Sequence, residues 1–269
     1  MPEFAADLAL IVRATRAAGE LAMRTFRKSP EHWEKSPGNP VSEADIAVDA
    51  YLKQCLLGSR PGYGWLSEET ADDPRRLGCS KVWIIDPIDG TRDFIRGRTG
   101  WCVSVALVDD GVAVLGALAA PARQEFCVAS RGRGAQCNGV RLTVSGRQQL
   151  AGLTMPVDPP SLKSPFWPEP WDAVAHEKPN SLALRIAHVA AGRCDAFIEG
   201  RQIAEWDVAA AALICTEAGG SVTDRHGATL IFNQATPSVA GLVAATPVLH
   251  GEVARRLNAG VAALSARRR

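Results

Sequence analysis

The chain has 269 residues, enough to bury a large core as one large or two modest domains. It is 46% hydrophobic and 22% charged with a formal net charge of +1, an ordinary globular composition with no bulk attraction for a nucleic-acid polymer or an anionic membrane. Its seven cysteines, an odd number with no Cys-x-x-Cys among them, argue for reduced, mostly buried thiols and against a disulfide framework or a thiolate zinc site.

Residues 5–27 are expected to form an amphipathic helix, with Leu8, Ile11, Val12, Ala18 and Ala22 recurring at helical spacing. A loop with Pro37, Gly38 and Pro40 follows, then a second helix from Ser42 to about Leu57. Strands are expected at 63–67, 81–86, 101–109, 112–120 and 124–130, with Asp109-Asp110-Gly111 marking a hairpin turn. That block reads as antiparallel, with its helices placed before it. Residues 156–180 hold seven of the seventeen prolines and read as an irregular connection. Afterwards helix (181–191), strand (194–199), helix (207–218), strand (239–245) and helix (249–265) alternate. The expected fold is α+β, a layered sandwich of αβαβα type with a largely antiparallel N-terminal sheet and a smaller C-terminal α/β half. The division falls near residue 150, giving units 1–150 and 151–269. No apolar run is long enough to span a membrane and the start carries no basic n-region, so a soluble cytoplasmic protein is expected.

The most informative run is Val82-Trp83-Ile84-Ile85-Asp86-Pro87-Ile88-Asp89-Gly90-Thr91. Four apolar residues lead to Asp86, as in a strand covered on both faces, and Pro87 and Gly90 stop it. Asp-x-x-Asp at a strand end can aim two carboxylates into one small volume, an arrangement that calls for a cation. Oxygen ligands of this kind suit a hard ion such as Mg²⁺. Alone, the same run also fits a turn whose aspartates bond their own backbone. Three further sites accompany it. Ser67-Glu68-Glu69-Thr70 follows a strand, where glutamates are usually solvated. Ser42 and Asp45 have capping-box spacing. Asp207, in Glu205-Trp206-Asp207, opens an Ala-rich helix and could simply cap it.

Together these segments resemble the lithium-sensitive, magnesium-dependent phosphatases: inositol monophosphatases, 3′(2′),5′-bisphosphate nucleotidases and histidinol-phosphate phosphatases. The matching residues are Val41–Asp45, Ser67–Glu69, Trp83–Phe94, Gly134–Gly139, Val189–Asp195 and Trp206–Ala210, the last running on to Glu217-Ala218-Gly219-Gly220. The resemblance implies that Glu68, Asp86 and Asp89 bind metal and that Ile88 gives its backbone carbonyl. It makes Asp207 the ligand that completes the second metal site. It implies that Thr91 bonds the attacking water and is oriented by Asp45, while the backbone at Gly90 and Thr91 faces the phosphate. Two or three Mg²⁺ ions would lower the pKa of a bound water, neutralise phosphoryl oxygens and steady the leaving oxygen. Glu68, Thr91 and Asp45 thus form the expected catalytic group, and Asp207 also borders the substrate. Ser181 and Glu205 are expected as leaving-group contacts.

The substrate reading rests on fewer residues. Asp93, in Thr91-Arg92-Asp93-Phe94, stands where bisphosphate nucleotidases commonly carry an acidic residue. That favours 3′-phosphoadenosine 5′-phosphate, with Arg92, Arg96 or Arg98 available for a second phosphate. Inositol 1-phosphate and histidinol phosphate are the alternatives, and Arg92 does not separate them. Asn180-Ser181-Leu182-Ala183-Leu184 lacks the glycine that the family often has there. One residue more than in inositol monophosphatases separates Glu199 from Asp207. The partner is a small phosphorylated molecule, and a homodimer is compatible with the chain. A non-catalytic phosphate- or metal-binding regulator is the alternative of another class. Every expected metal ligand is present, which favours the enzyme.

Overall fold

A computed structural model describes residues 4–163, 165 and 167–267. In chain order the elements are α1 (Ala5–Met23), β1 (His32–Ser36), β2 (Asn39–Ser42), α2 (Glu43–Ser59), β3 (Gly64–Ser67), β4 (Lys81–Asp89) and α3 (Thr91–Ile95). Next come β5 (Cys102–Asp109), β6 (Val112–Ala120), β7 (Glu125–Ser130), β8 (Ala135–Cys137), β9 (Val140–Arg141), β10 (Leu153–Met155), α4 (Pro159–Leu162) and β11 (Ala173–Ala175). The chain closes with α5 (Leu182–Ala190), β12 (Ala196–Ala204), α6 (Ala209–Glu217), β13 (Ser221–Thr223), β14 (Ser238–Ala245) and α7 (Pro247–Arg267).

Strands β3 to β9 form one seven-stranded sheet in sequence order. Alternation along β4 shows why it lies in the middle of a sandwich. Trp83 and Ile85 pack with α1 and α2 residues such as Ile11, Val48 and Leu52. Val82 and Ile84 pack on the other face with Ile186 of α5 and Ala210 and Ile214 of α6. Beyond α5 and α6 lies the second sheet, ordered β12-β14-β13, and α7 covers its outer face through Leu249, Val253 and Leu257. The layers run αβαβα, as expected. Gly116 of β6 lets α6 lie close: a Cβ there would stand 2.7 Å from the Ala210 carbonyl oxygen.

Three local expectations change. β3 pairs parallel to β4, with Gly64 beside Val82 and Ser67 beside Ile85, so the first sheet is not wholly antiparallel. The Pro-Gly loop before α2 is the turn of an antiparallel β1–β2 hairpin. The irregular stretch 156–180 holds α4 and β11, and β11 pairs parallel with β10. The core crosses residue 150: Leu66, Val82 and Ala106 share one cluster with Phe197, Ile214 and Ala244. The two halves therefore differ in their sheets but share that core. The Asp109-Asp110-Gly111 turn is present as read, with Asp110 at φ 45° and Gly111 at φ 80° closing a tight two-residue hairpin. No helix among the described residues is long and apolar enough to cross a membrane.

Candidate active site

Three residues apart on a regular strand, Asp86 and Asp89 would point to opposite faces. The structure turns them together with a bulge. Asp86 pairs with Ser104 and Asp89 with Cys102, so Pro87 and Ile88 stand opposite the single residue Val103. Proline, having no N–H to give the ladder, fits such a place. Asp207, on the turn before α6, meets them: one oxygen from each of Asp86, Asp89 and Asp207 lies within 4.8 Å of the other two.

These three carboxylates line a cleft of about 180 Å³ with Glu68, Ile88, Gly90, Thr91 and Asn180. Burial, reinforced by the charges of Glu68, Asp89, Asp207 and Asp45, holds Asp86 well above the usual carboxylate range. Burial and then the charges of Asp89 and Glu68 do the same to Asp207. Oδ1 of Asp86 is buried without a hydrogen-bond partner. An orphaned carboxylate oxygen among like charges fits a hard cation bound there. Asp207 does not cap α6. Its Oδ2 accepts the Ala204 N–H at 3.2 Å, which aims the carboxyl back toward β4.

Asp89 is anchored differently. Its Oδ2 accepts the Ser181 hydroxyl at 2.5 Å and the Ala183 N–H at 2.7 Å, and its Oδ1 accepts the Leu182 N–H at 3.1 Å. Burial pushes its pKa up to about 6 against the pull of those donors. Asp89 thus sits on the free N–H groups that begin α5, where a carboxylate is favoured. This overturns the role expected of Ser181. Its hydroxyl donates to Asp89 and accepts the Leu184 N–H at 2.9 Å, and the residue is fully buried. Ser181 holds Asp89 and lies outside the cleft lining. Glu205 is also fully buried: its carboxylate accepts the N–H groups of Asn233 at 2.6 Å and Gln234 at 2.9 Å and pins their loop. Asn180, not singled out in the sequence, lines the cleft instead.

Asp45 is open to two readings, and each of its oxygens meets the partner that one of them names. Oδ2 accepts the backbone N–H of Ser42 at 2.9 Å and its hydroxyl at 2.5 Å, as in a capping box. Oδ1 accepts the Thr91 hydroxyl at 3.0 Å. The Thr91 hydroxyl also lies 3.0 Å from the Ile88 carbonyl oxygen. Burial raises Asp45 to about 6. Gly90, at φ 97°, leads into α3, and a Cβ there would stand 2.6 Å from the Gly100 carbonyl oxygen.

Glu68 borders the cleft, with Oε1 2.8 Å from the ammonium of Lys35, which also reaches Glu69 at 2.6 Å. Burial raises Glu69 to about 7. Sequence reasoning missed Lys35 because nothing local marks it: β1 is exposed throughout. It also missed Asp49, which accepts the hydroxyls of Ser67 and Thr70 at 2.5 Å each and so brackets the two glutamates. A signal for Asp49 existed, since it follows Asp45 by one helical turn and shares its face.

The substrate arguments fare unevenly. Asp93 accepts the Asn180 N–H at 3.0 Å, inside the fold. Arg96 and Arg98 are exposed and outside the cleft lining, and Arg92 donates to the Gly38 carbonyl oxygen. The extra residue after Glu199 is a bulge: Gly200 and Arg201 stand opposite Gly241. Arg201 then takes the Glu199 carboxylate, with Nη2 at 3.1 Å.

Residues 6–262 match the inositol monophosphatase family. The chain is 35% identical to the histidinol-phosphatase of Mycobacterium tuberculosis, covering 94% of itself and 98% of that protein. It is 35% identical to the Nus factor SuhB of Pseudomonas aeruginosa, covering 82% of itself and 86% of that protein. Among solved structures, the IMPase of Thermotoga maritima superposes with a TM-score of 0.81 at 29% identity, over 96% of this chain and 98% of that one.

Proposed function

Because the chain belongs to the inositol monophosphatase family of phosphoric monoester hydrolases, we propose that it uses Mg²⁺ to hydrolyse a small monophosphate, histidinol phosphate. The observation that carries the Mg²⁺ reading is the convergence of Asp86, Asp89 and Asp207 around an unpartnered carboxylate oxygen. Glu68 and the Ile88 carbonyl border the same cleft and complete an all-oxygen donor set. These residues would hold two or three Mg²⁺ ions, which would supply the charge to lower the pKa of a bound water, neutralise phosphoryl oxygens and steady the leaving oxygen.

The protein's own groups do the positioning. Thr91, turned toward Asp45, offers its oxygen to a proton of the attacking water. Asp45, raised to about 6, can hold that proton near neutrality through the Thr91 hydroxyl. Gly90 borders the cleft, and its missing side chain lets the turn pack against the chain: a Cβ there would stand 2.6 Å from the Gly100 carbonyl oxygen and 2.9 Å from the Ser181 nitrogen. The α5 N-terminus fixes Asp89 through three donors and so sets where the cation lies.

Two observations support histidinol phosphate over 3′-phosphoadenosine 5′-phosphate. The acidic residue that favoured the nucleotide, Asp93, is spent on the Asn180 backbone. Of the arginines considered for a second phosphate, only Arg92 borders the cleft, and it is bonded to Gly38. The end-to-end likeness to a histidinol-phosphatase supplies the choice among small esters. The test is kcat/KM for histidinol phosphate, inositol 1-phosphate and 3′-phosphoadenosine 5′-phosphate in Mg²⁺. Histidinol phosphate is expected to lead by at least tenfold, and a lead by either rival overturns the choice.

A further inference from the structure

Apart from the carboxylate cleft, a second group of ligating side chains converges on the side of α5 away from Asp89. His176 follows β11, His188 lies in the last turn of α5, and Cys194 precedes β12. One ligand atom from each lies within 4.8 Å of the other two. His188 and Cys194 are each 1% exposed, and His176 is half-buried. The two imidazole rings stand edge to face, 5.5 Å apart.

What sets this cluster apart is its unmet polarity. Both ring nitrogens of His188 and Nδ1 of His176 are buried without any hydrogen-bond partner. An imidazole packed for shape alone would be replaceable by a phenyl ring. An imidazole placed for its hydrogen bonds would show a partner on at least one nitrogen. Here His188 has no partner on either nitrogen, and a thiol stands beside the free nitrogens. The nearest charges are already paired elsewhere: Arg123 with Glu177 at 2.7 Å and Arg193 with Glu125 at 2.7 Å. The group that satisfies three lone pairs at once, two nitrogen and one sulfur, is a borderline-soft metal ion.

We propose that His176, His188 and Cys194 form a Zn²⁺ site, separate from the oxygen-lined cleft. Tetrahedral zinc bonds place such ligand atoms roughly 3.3–3.6 Å apart, so the present atoms, all within 4.8 Å of one another, need only a small closure on binding. The S–H bond of Cys194 breaks, its proton leaves to solvent, and a sulfur–zinc bond forms. A water fills the fourth position, entering from the half-buried His176 side. The absence of Cys-x-x-Cys argues against a zinc site built on a local thiolate pair, but one thiolate with two imidazoles needs no such spacing. The bound ion ties β11 and the start of β12 to the end of α5 whose other end holds Asp89.

The test uses the full chain in excess Mg²⁺, which keeps the carboxylate cleft filled, with Co²⁺ as the probe. One equivalent of Co²⁺ is expected to give a near-ultraviolet sulfur-to-cobalt band that one equivalent of Zn²⁺ abolishes. An all-oxygen site cannot produce that band. Cys194→Ala should lose it and Cys127→Ala should keep it. X-ray absorption of the Zn²⁺-loaded wild type requires no variant and should show one sulfur and two imidazole nitrogens. No band at stoichiometric Co²⁺, a band that survives Cys194→Ala, or a zinc shell of oxygens or of two sulfurs overturns the proposal.

Discussion

The end of β4 and the β1–β2 hairpin face one cleft and are built in opposite ways. β4 lies between two strands with helices over both faces, and every residue from Val82 to Asp89 is buried. The hairpin has two strands, and its first is exposed along its whole length. A two-stranded hairpin is marginal in water by itself. This one is held by Lys35 on Glu68 and Glu69, by Arg92 on the Gly38 carbonyl oxygen, and by the burial of Val41 and Ser42. The difference teaches where rigidity is placed. The carboxylates proposed as metal ligands belong to the buried part. The ammonium of Lys35, which meets Glu68 and Glu69, belongs to the exposed hairpin, which has fewer buried contacts to lose on opening.

The strongest way to break that contrast is on β4 itself. Asp86→Asn and Asp89→Asn should each lower kcat/KM by more than the ~10–100-fold typical of an outer-shell partner. In metal-free melts the two should part. Asp86→Asn relieves repulsion at an oxygen that has no partner and should raise Tm. By charge alone Asp89→Asn would do likewise. The structure reverses that expectation, because an amide NH₂ would face donors from Ser181, Leu182 or Ala183. We expect a loss of about 1–3 kcal/mol, the cost of leaving a buried donor unpaired. Tm shifts of the same sign in both variants would remove the distinction.

Next in size is the bridge between the two regions. Thr91→Ala and Asp45→Asn should each lower kcat by ~10²–10⁴-fold with little change in the Mg²⁺ requirement, and the double variant should be scarcely worse. Because the second oxygen of Asp45 caps α2, Asp45→Asn should also cost about 0.5–2 kcal/mol of stability, a loss that Thr91→Ala should not show. Kinetics and melts on the three variants check both halves. An Asp45→Asn enzyme with unchanged kcat would leave only the cap.

The pH dependence sharpens the same contrast. Asp45 and Asp89 are raised in the folded protein to about 6 from an ordinary 3.8. Folded carboxyls that hold protons more tightly than unfolded ones stabilise the fold at low pH. That stability is fully present below the unfolded value and is lost as pH rises through the folded one. Metal-free protein should therefore lose stability between about pH 4 and 6, and saturating Mg²⁺ should flatten the slope. A metal-free stability that rises across this window contradicts the assignment.

The smallest effect is expected at the hairpin. Lys35→Ala removes two ion pairs, to Glu68 and to Glu69, each worth about 0.2–1 kcal/mol for a partly exposed lysine, so the melt should move little. Hydrogen exchange should quicken in the hairpin amides and stay unchanged in β4. Quickening in β4 as well would show that the two regions are not separable.

Much of the fold was legible in local pattern. Helices α1, α2, α5, α6 and α7 and strands β4 to β7 appear within a few residues of where periodicity and turn residues place them. The hairpin was not legible, because Trp33, Glu34 and Lys35 carry no alternation and β1 buries nothing. The parallel β3–β4 pairing and the β10–β11 pair join segments far apart in the chain, which no window of sequence reports.

For the site, the residue types and motif spacings of Glu68, Asp86, Asp89, Asp207, Thr91 and Asp45 sufficed to name a metal-assisted phosphatase family, because that chemistry demands hard oxygen ligands in number. The destinations of polar side chains needed tertiary structure. Ser181 turned to Asp89, Glu205 to the 233–234 loop, Asp93 to Asn180, and Asp45 to two partners at once. His176, His188 and Cys194 share no spacing rule and meet only once β11, α5 and β12 are in place. The physical reason is common to all. Apolar periodicity is a property of a segment, which its own sequence carries. A buried polar atom must find whichever donor or acceptor the folded chain brings within reach, and that partner is chosen by packing across the whole molecule.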